Sequence, residues 1–334
     1  MMRHWQEGKT LIVAEIGNNH EGDASVAERM LCEAAAAGAD AVKFQTLRAD
    51  GLVGRVPPER LRMLQGFELT FAEFEALARR AEQEGVLFLS TPFDLESARF
   101  LDDLVPLFKV ASGDLTFGPL LDAVAGFGKP VLLSRGGADE QEIQSAVDRL
   151  RQGWQGLDAA PELVLLHCVS LYPTPPELAN LAAIPALAAR FGLPAGYSDH
   201  TLGVEAAVLA ACLGARVIEK HFTLDHEWSA FRDHQLSADP VQMRELVRRV
   251  RQAEAYRGSA ALHPSDAETQ GVDGMRRSIC AARDLAAGTV LAAEHLTWLR
   301  PGGGLAPGQE ERLLGRILRL GVQRGQAFGM DMVE

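Results

Sequence analysis

The sequence predicts a (β/α)8 barrel followed by a smaller, mostly β domain. Eight short apolar runs each end in a polar, often titratable side chain. Between them lie stretches such as residues 25–40 and 71–85, whose apolar residues are spaced three and four apart, as in amphipathic helices. A strand and then a helix, repeated eight times, is the pattern of a parallel (β/α)8 TIM barrel.

The eight predicted strands end in side chains that the fold would bring together. In chain order the strands are LIVAEIG, DAVKFQ, VLFLSTP, FKVAS, KPVLLS, ELVLLHCVS, PAGYSDH and ARVIEKHF. Their closing polar residues are Glu15, Lys43 with Gln45, Thr91, Ser112, Ser134, Ser170, Ser198 to His200, and Glu219 to His221. Because all strands of such a barrel point their carboxyl ends into one mouth, these side chains should form one site.

The pattern changes after residue 257, which predicts a domain boundary. Residues 258–275 are rich in Gly, Pro, Ser and Asp, as in a linker between a barrel of residues 1–257 and a domain of residues 276–334. Within the latter, DLAAGTVLAAEHL and GVQRGQAFGMDMV share a spacing around Gly288 and Gly325. Two half-repeats predict a small β module with internal pseudo-symmetry.

Composition excludes several classes of protein. The 334 residues include 45 acidic and 33 basic side chains, for a net charge of −12, which argues against nucleic acid as the main partner. No signal core or membrane-length apolar stretch occurs, so we expect a cytoplasmic protein without a membrane partner. The four cysteines form no CxxC pair, and Cys168 is interpreted as a buried thiol rather than a nucleophile.

Lysine is rare in this chain, so its positions are informative. Only five of the 33 basic residues are lysines. Three of them, Lys43, Lys109 and Lys220, lie on predicted strands and are candidates for anion binding or Schiff-base chemistry.

His200 and His221 end adjacent strands and are candidate metal ligands. Neighbouring strands lie about 4.8 Å apart, so both imidazoles could reach one ion. Two histidines leave positions open for water or substrate, as in a Lewis-acid site, and would accept Mn²⁺, Zn²⁺, Fe²⁺ or Co²⁺.

Ordered motifs along the chain resemble the sialic acid (N-acetylneuraminate, or nonulosonic acid) synthase family, which includes pseudaminate and legionaminate synthases. The motifs are IVAEIGNNHEG, AVKFQT, LSTPFD, KVASGD, LLHCVSLYPTP, YSDHTLG, EKHFTLD and RPGGGL, in that order. The resemblance implies a barrel with a C-terminal antifreeze-like (SAF, β-clip) domain.

The resemblance also implies a reaction. The family condenses phosphoenolpyruvate with an N-acetylated amino-sugar aldehyde, such as N-acetylmannosamine or a 6-deoxy-diacetamido hexose. Water is consumed, and the products are phosphate and a nine-carbon 2-keto acid, formed by C–O cleavage. By similarity, Glu15 handles a proton, and His200 and His221 hold a divalent metal, Mn²⁺ or else Mg²⁺ or Co²⁺.

The same similarity assigns the binding residues. Those for phosphoenolpyruvate are Lys43, Thr91, Lys109, Ser112, Ser134, Ser170 and Ser198, and those for the acceptor sugar are Gln45, Asp114, Tyr172, Asp233 and Arg300. A homodimer is implied, in which the SAF domain of one subunit covers the partner's active site.

The chain departs from the family pattern at several positions. The segment after the second strand is short, and Arg135 follows the fifth strand where a threonine is usual.

Two alternatives stay open. One is a metal-independent Schiff-base aldolase that uses Lys109 or Lys220. The other is a non-catalytic carbohydrate-binding or assembly protein that kept both domains.

Overall fold

A computed structural model describes residues 8–334, which form two compact units; the first ends at Gly258 and the second begins at Ser259. The first unit contains eight strands. They are Leu11–Gly17 (β1), Ala41–Thr46 (β2), Leu87–Pro92 (β3), Phe108–Val110 (β4), Val131–Ser134 (β5), Leu163–His167 (β6), Ala195–Asp199 (β7) and Val217–His221 (β8).

The strands form one parallel sheet in the order β3-β2-β1-β8-β7-β6-β5-β4. The first and last strands in sequence are therefore neighbours, and the sheet curves into a nearly closed barrel. The predicted barrel fold is confirmed, with each predicted strand in place.

Helices alternate with these strands as the amphipathic spacing predicted. They are Ala24–Ala36 (α1), Ala49–Leu52 (α2), Pro58–Gly66 (α3), Phe71–Glu84 (α4), Leu95–Asp102 (α5), Gly118–Gly126 (α6), Glu140–Gly153 (α7), Ala183–Phe191 (α8), Glu205–Cys212 (α9), Asp233–Leu236 (α10) and Pro240–Arg257 (α11). Local sequence explains their ends. Helix α4, for example, begins with a capping box between Thr70 and Glu73 and stops at Gly85, whose φ of 74° suits glycine.

Side chains along each strand alternate between two apolar cores. On β1, Leu11 and Val13 pack inside the barrel, whereas Ile12, Ala14 and Ile16 pack against the helices. Glu15 continues the inward series at the carboxyl end of the strand. The same alternation directs the mouth-end residue of each strand either into the barrel or out towards the helix layer.

The second unit contains a helix that the sequence pattern did not predict. Residues 258–275 were predicted to be a linker, but Asp266–Met275 (α12) is helical, with Ser265 and Glu268 forming a capping box at its start. Glycines at 271 and 274 obscured the helical pattern.

The rest of this unit is built on short β pairings. Ser278–Ala281 (β9) and Leu296–Leu299 (β10) are antiparallel. The two half-repeats also pair with each other, because Leu285 and Val322 exchange both backbone hydrogen bonds at 2.9 Å. Each of these residues lies three positions before a glycine of positive φ, Gly288 and Gly325. Equivalent residues of the half-repeats thus meet across a pseudo-twofold axis.

None of the helices within residues 8–334 combines the length and the apolar character that a membrane span requires.

Candidate active site

The register of the barrel strands sets the predicted site residues side by side. Glu15 on β1 lies level with Lys43 on β2 and with His221 on β8. Ser198 on β7 lies level with Glu219 on β8. Four adjacent strands therefore deliver a carboxylate, an ammonium and an imidazole to one layer of the mouth, and a hydroxyl and a second carboxylate to the layer two residues deeper.

These side chains line a cavity of about 650 Å³ at the carboxyl end of the barrel. All but two of the predicted site residues contribute to it. They are Glu15, Lys43, Gln45, Thr91, Lys109, Ser112, Ser134, Ser170, Tyr172, Ser198, His200, His221 and Asp233.

The two exceptions are Asp114 and Arg300. Asp114 lies in a 3-10 turn beside the cavity, where burial raises the pKa of its carboxyl to about 6 despite the nearby Lys109. Arg300 is exposed and directly follows β10 in the second unit.

A buried charge network forms the floor of the cavity. The Nζ of Lys43 lies 2.6 Å from Glu15 Oε2 and 3.7 Å from Glu219 Oε2, and it donates to Thr91 Oγ1 at 2.7 Å. The Nζ of Lys109 lies 3.6 Å from Glu219 Oε1. Glu219 thus bridges the two lysines and joins all four charges into one cluster.

Burial and neighbouring charges shift the pKa values of the two carboxyl groups of this cluster in opposite directions. Burial raises the pKa of Glu15, and the neighbouring Glu219 adds to the increase, although Lys43 opposes it. Burial also acts on Glu219, but there Lys109 and Lys43 prevail and lower the pKa to about 2. Glu219 therefore stays ionised, while Glu15 is the carboxylate more easily protonated, as suits a group that exchanges protons.

The pKa values of the two lysines also shift in opposite directions. Burial lowers the pKa of Lys109, and Glu219 only partly restores it. For Lys43 the attraction of Glu15 and Glu219 outweighs burial and raises the pKa.

One side of the cavity is suited to a small anion. Ser134 Oγ is buried there and has no hydrogen-bond partner among the described residues. A Cβ at Gly136 would lie 2.6 Å from Ser170 Oγ and 2.7 Å from Cys168 Sγ, so only glycine fits between them. Glycine at this position therefore lets the Ser170 and Cys168 side chains pack against the backbone at the cavity wall.

The two histidines face each other as neutral imidazoles. Their ring centroids are 5.6 Å apart. Burial lowers the pKa of both rings. Because the Val169 carbonyl can only accept, His200 Nδ1 donates its proton across the 2.8 Å contact, which leaves Nε2 with a free lone pair. His221 Nδ1 is buried without a hydrogen-bond partner among residues 8–334.

This donor set fits a metal with open coordination positions. A histidine that binds a metal usually donates its other ring N–H to a backbone carbonyl or a carboxylate, which fixes the orientation of the ring. Groups of three or more His, Cys, Asp or Glu side chains suited to a metal are absent from the described part of the chain. Any ion held here by His200 and His221 would therefore keep positions for water or substrate oxygen.

The outer wall of the cavity combines polar and apolar groups. Gln45 donates to Glu15 Oε1 at 2.9 Å, and burial raises the pKa of Asp233. The rings of Phe67 and Phe231, which also line the cavity, pack with centroids 4.9 Å apart. Tyr172 lies over His200, at a centroid distance of 4.1 Å.

Several cavity residues received no role from the sequence. Glu219 ends a predicted strand but is not among the predicted site residues, although its position two residues before His221 puts it on the inward face of β8. Cys168 lines the cavity, and burial raises the pKa of its thiol, which agrees with an unreactive side chain. Asn18 and Arg60 also line the cavity, from a turn and a short helix that carry no strand-end signal.

Two basic residues prominent in the sequence lie away from the cavity. Lys220 is buried in the helix layer, where it pairs with Asp199 at 3.0 Å. Strand alternation requires this, because Lys220 separates the inward-facing Glu219 and His221. Arg135 donates to His167 Nδ1 at 2.6 Å and does not line the cavity.

Fold and site together define a barrel enzyme whose mouth holds two lysines, three carboxylates and two neutral histidines. Comparison with known proteins identifies the family. The NeuB family profile matches residues 30–261 and the SAF domain profile matches residues 276–334. The chain belongs to the NeuB family.

Individual relatives agree with this placement. The chain is 40% identical to the N,N'-diacetyllegionaminic acid synthase of Legionella pneumophila, over 97% of this chain and 94% of that protein. It is 43% identical to an uncharacterized protein of Methanocaldococcus jannaschii over 89% and 86% of the two chains. An N-acetylneuraminic acid synthetase structure from Leptospira borgpetersenii superimposes with a TM-score of 0.74 at 37% identity, covering 79% of this chain and 90% of that one. The chain is therefore a synthase-type enzyme, which disfavours the non-catalytic alternative.

Proposed function

We propose that this enzyme carries out a metal-dependent condensation of phosphoenolpyruvate with an N-acetylated amino-sugar aldehyde. C3 of phosphoenolpyruvate bonds to the aldehyde carbon, water adds its oxygen at C2, and the C2–O bond to phosphate breaks. The products are a nine-carbon 2-keto sugar acid and phosphate. The observation that carries the proposal is the convergence of Lys43, Lys109, His200 and His221 around Glu15 in one cavity.

The cation-rich floor suits phosphoenolpyruvate, whose phosphate and carboxylate must be paired once they leave water. Lys43 and Lys109 supply two ammonium groups, and Thr91, Ser112, Ser134, Ser170 and Ser198 supply hydroxyls. Ser134 is the hydroxyl best prepared for a ligand, because its oxygen is buried and unpartnered within the described structure.

The histidine pair suits a divalent metal, which we propose to be Mn²⁺, with Mg²⁺ or Co²⁺ as alternatives. Such an ion polarises an aldehyde oxygen as a Lewis acid. His200 would bind through Nε2, since its Nδ1–H is committed to Val169. Burial lowers the pKa of both histidines and so keeps their lone pairs available near neutral pH.

Glu15 is proposed to accept a proton from the water that adds at C2, or from a sugar hydroxyl. Burial raises its pKa towards the range in which a carboxylate exchanges protons efficiently. Lys43, 2.6 Å from Oε2, and Gln45, 2.9 Å from Oε1, hold the carboxylate in place.

The acceptor sugar is proposed to lie against the outer wall. Gln45, Tyr172 and Asp233 line the cavity and would meet its hydroxyl and amide groups, whereas Asp114, the remaining barrel residue that the resemblance implies, lies beside the cavity near Lys109. The Phe67–Phe231 pair offers an apolar surface for acetamido or 6-deoxy methyl groups. An acceptor of the diacetamido type would agree with the name of the Legionella relative.

We further propose that the enzyme acts as a homodimer in which Arg300 of one subunit reaches the acceptor in the partner's mouth. The exposure of Arg300 in the second unit is compatible with this role.

The test is phosphate release from phosphoenolpyruvate by metal-stripped protein, with Mn²⁺ added back. The acceptors are N-acetylmannosamine, mannose and 6-deoxy-diacetamido hexoses. Release that needs both the metal and one N-acetylated acceptor, with a nine-carbon keto acid found by mass, would support the proposal. Release with mannose alone, or none with folded dimeric protein across the panel, would count against it.

The lowered pKa of Lys109 favours one alternative, a Schiff-base aldolase. That enzyme would work without metal, and borohydride would trap substrate on Lys109. Lys220 is a poorer candidate because it lies outside the cavity in an ion pair with Asp199.

A further inference from the structure

The turn that follows β1 has no part in the chemistry proposed above, although it belongs to the most distinctive motif of the sequence. It comprises residues 18–22 and is called here the Asn18–Gly22 loop. Backbone hydrogen bonds close it on itself, from Asn19 N–H to Ile16 O at 3.0 Å and from Glu21 N–H to Asn18 O at 2.9 Å. Glu21 has a φ of 49°, a conformation that a residue with a side chain rarely adopts without support from its surroundings.

One contact joins this loop to the polar wall of the cavity. Asn18 Nδ2 donates to Gln45 Oε1 at 2.8 Å, and Gln45 in turn donates to Glu15 at 2.9 Å. The loop therefore sets the orientation of the Gln45 amide, leaving its NH₂ group pointed at Glu15.

A second contact reaches the short helix α10, which carries Asp233. The buried ring of His234 lies between Glu21 and Thr223, with Nε2 3.1 Å from Glu21 Oε1 and Nδ1 2.7 Å from Thr223 Oγ1. Because a carboxylate only accepts, His234 Nε2–H is the donor to Glu21. This bond links residues more than 200 positions apart.

A third contact holds the other end of the same helical turn. Asn19 Nδ2 donates to Ser237 Oγ at 3.0 Å and to Phe222 O at 2.8 Å. Ser237 Oγ donates to Asp233 O at 2.5 Å. A helix of four residues has almost no stability of its own, so these side chains determine where Asp233 lies.

A fourth contact places the apolar wall. A Cβ at Gly22 would lie 2.1 Å from Gly66 O, so only glycine allows the end of α3 to pack on the loop. Phe67, the next residue, contacts Phe231 across the cavity wall.

We propose that the Asn18–Gly22 loop is a positioning device that sets the acceptor side of the site, and that Glu21 and His234 are its principal positioning residues. The inference rests on the proposed function, because it takes Asp233 and Gln45 as acceptor ligands. The loop acts through those residues and does not touch the phosphoenolpyruvate side of the cavity.

The experiment measures KM for each substrate separately in the full-length enzyme. Glu21→Ala removes the acceptor of the His234 N–H bond and should raise the acceptor KM about 10- to 100-fold, the effect of a small misplacement of a binding group. The KM for phosphoenolpyruvate should stay within about twofold of the wild-type value, which would show that the binding groups for this substrate have not moved. Glu21→Gln keeps an oxygen at the same place and should largely restore the acceptor KM. Ser237→Ala, a milder change at the other end of α10, should shift the acceptor KM in the same direction.

Asp40→Asn is the matched control. Asp40 is likewise a carboxylate that accepts a hydrogen bond from a distant side chain, Arg251 at 2.6 Å, but it precedes β2 at the opposite end of the barrel. It should lower the melting temperature without changing either KM.

The proposal is overturned if Glu21→Ala changes both KM values equally, or if it lowers only the melting temperature as the control does. Failure of the proposed function would be distinct, because the wild-type enzyme itself would then release no phosphate with any acceptor.

Discussion

Replacing Glu219 by Gln tests the charge network at the floor of the cavity. Glu219 is buried, contacts both lysines of the cavity and accepts a hydrogen bond from Ser198 at 2.7 Å. With all four groups ionised, Glu15 and Glu219 balance Lys43 and Lys109. The substitution keeps the shape of the side chain but leaves one positive charge of the cluster without a carboxylate partner.

The size of the effect follows from the distances. Separations of 3.6 and 3.7 Å correspond to about 4 to 5 kcal/mol per pair at an effective dielectric constant of about 20, before desolvation is subtracted. Removing one partner of a buried charge network costs about 3 to 5 kcal/mol of unfolding free energy. For a unit of this size we expect the melting temperature to fall by roughly 6 to 20 °C.

Phosphoenolpyruvate should reverse part of this loss. The anion meets a neutral floor in the wild-type enzyme and a positive floor in Glu219→Gln, so it should stabilise the variant more. The assay is thermal unfolding of both proteins with and without phosphoenolpyruvate. Glu140→Gln, which breaks an exposed ion pair with Arg190, serves as control and should change little. An unchanged melting temperature, or a smaller ligand-induced rise in the variant than in the wild type, would refute this account of the network.

Three further predictions follow from other parts of the structure. His221→Ala should keep the fold, lose Mn²⁺ binding in calorimetry and abolish metal-dependent phosphate release; full activity would remove the metal assignment. Arg300→Ala and His221→Ala should each be impaired alone, yet after mixing and subunit exchange they should recover about a quarter of wild-type activity, because half the dimers then hold one intact site. No recovery, with exchange verified, would contradict the shared site. Burial lowers the pKa of His20 to about 4, so the folded protein resists protonation of this ring. The contribution of His20 to the free energy of unfolding should be fully present above pH 6.5 and should fall by up to about 3 kcal/mol as the pH drops towards 4. His20→Gln should flatten this dependence in denaturant titrations, and an unaltered slope would assign it to other groups.

The fold was predictable because each β/α repeat carries its own local signals. Apolar runs, helical spacing and caps such as Thr70 with Glu73 occur within single repeats, and eight of them in series leave few arrangements other than a barrel. Helix α12 was missed for the opposite reason. Its sequence contains two glycines and follows Pro264 and Ser265, so its composition is that of a linker, and the capping box of Ser265 and Glu268 is the one local signal for a helix start.

The candidate site was predictable where the strand pattern applies and not elsewhere. Residues at strand ends converge by the geometry of the barrel, which is why most predicted residues line one cavity. Asn18 and Arg60 come from a turn and a short helix, whose positions depend on contacts such as that between Gly22 and Gly66. Such contacts join distant parts of the chain and produce no periodic pattern in a single sequence.

Strand alternation would have improved the prediction with no further data. Lys43, Lys109 and Lys220 all lie on strands, so their positions alone do not distinguish them. Lys220, however, lies between Glu219 and His221 and therefore points away from the mouth when those two face it. If His221 faces the mouth, Glu219 does too, and a second inward carboxylate is then available to hold Lys43 and Lys109 charged. The same rule turns His167 outward and Cys168 inward. Whether a residue occupies an odd or an even position along a strand thus decides which face its side chain lies on. This rule separates Lys220 from the lysines of the cavity, and it identifies Glu219 as the group on which the charge balance of the site depends.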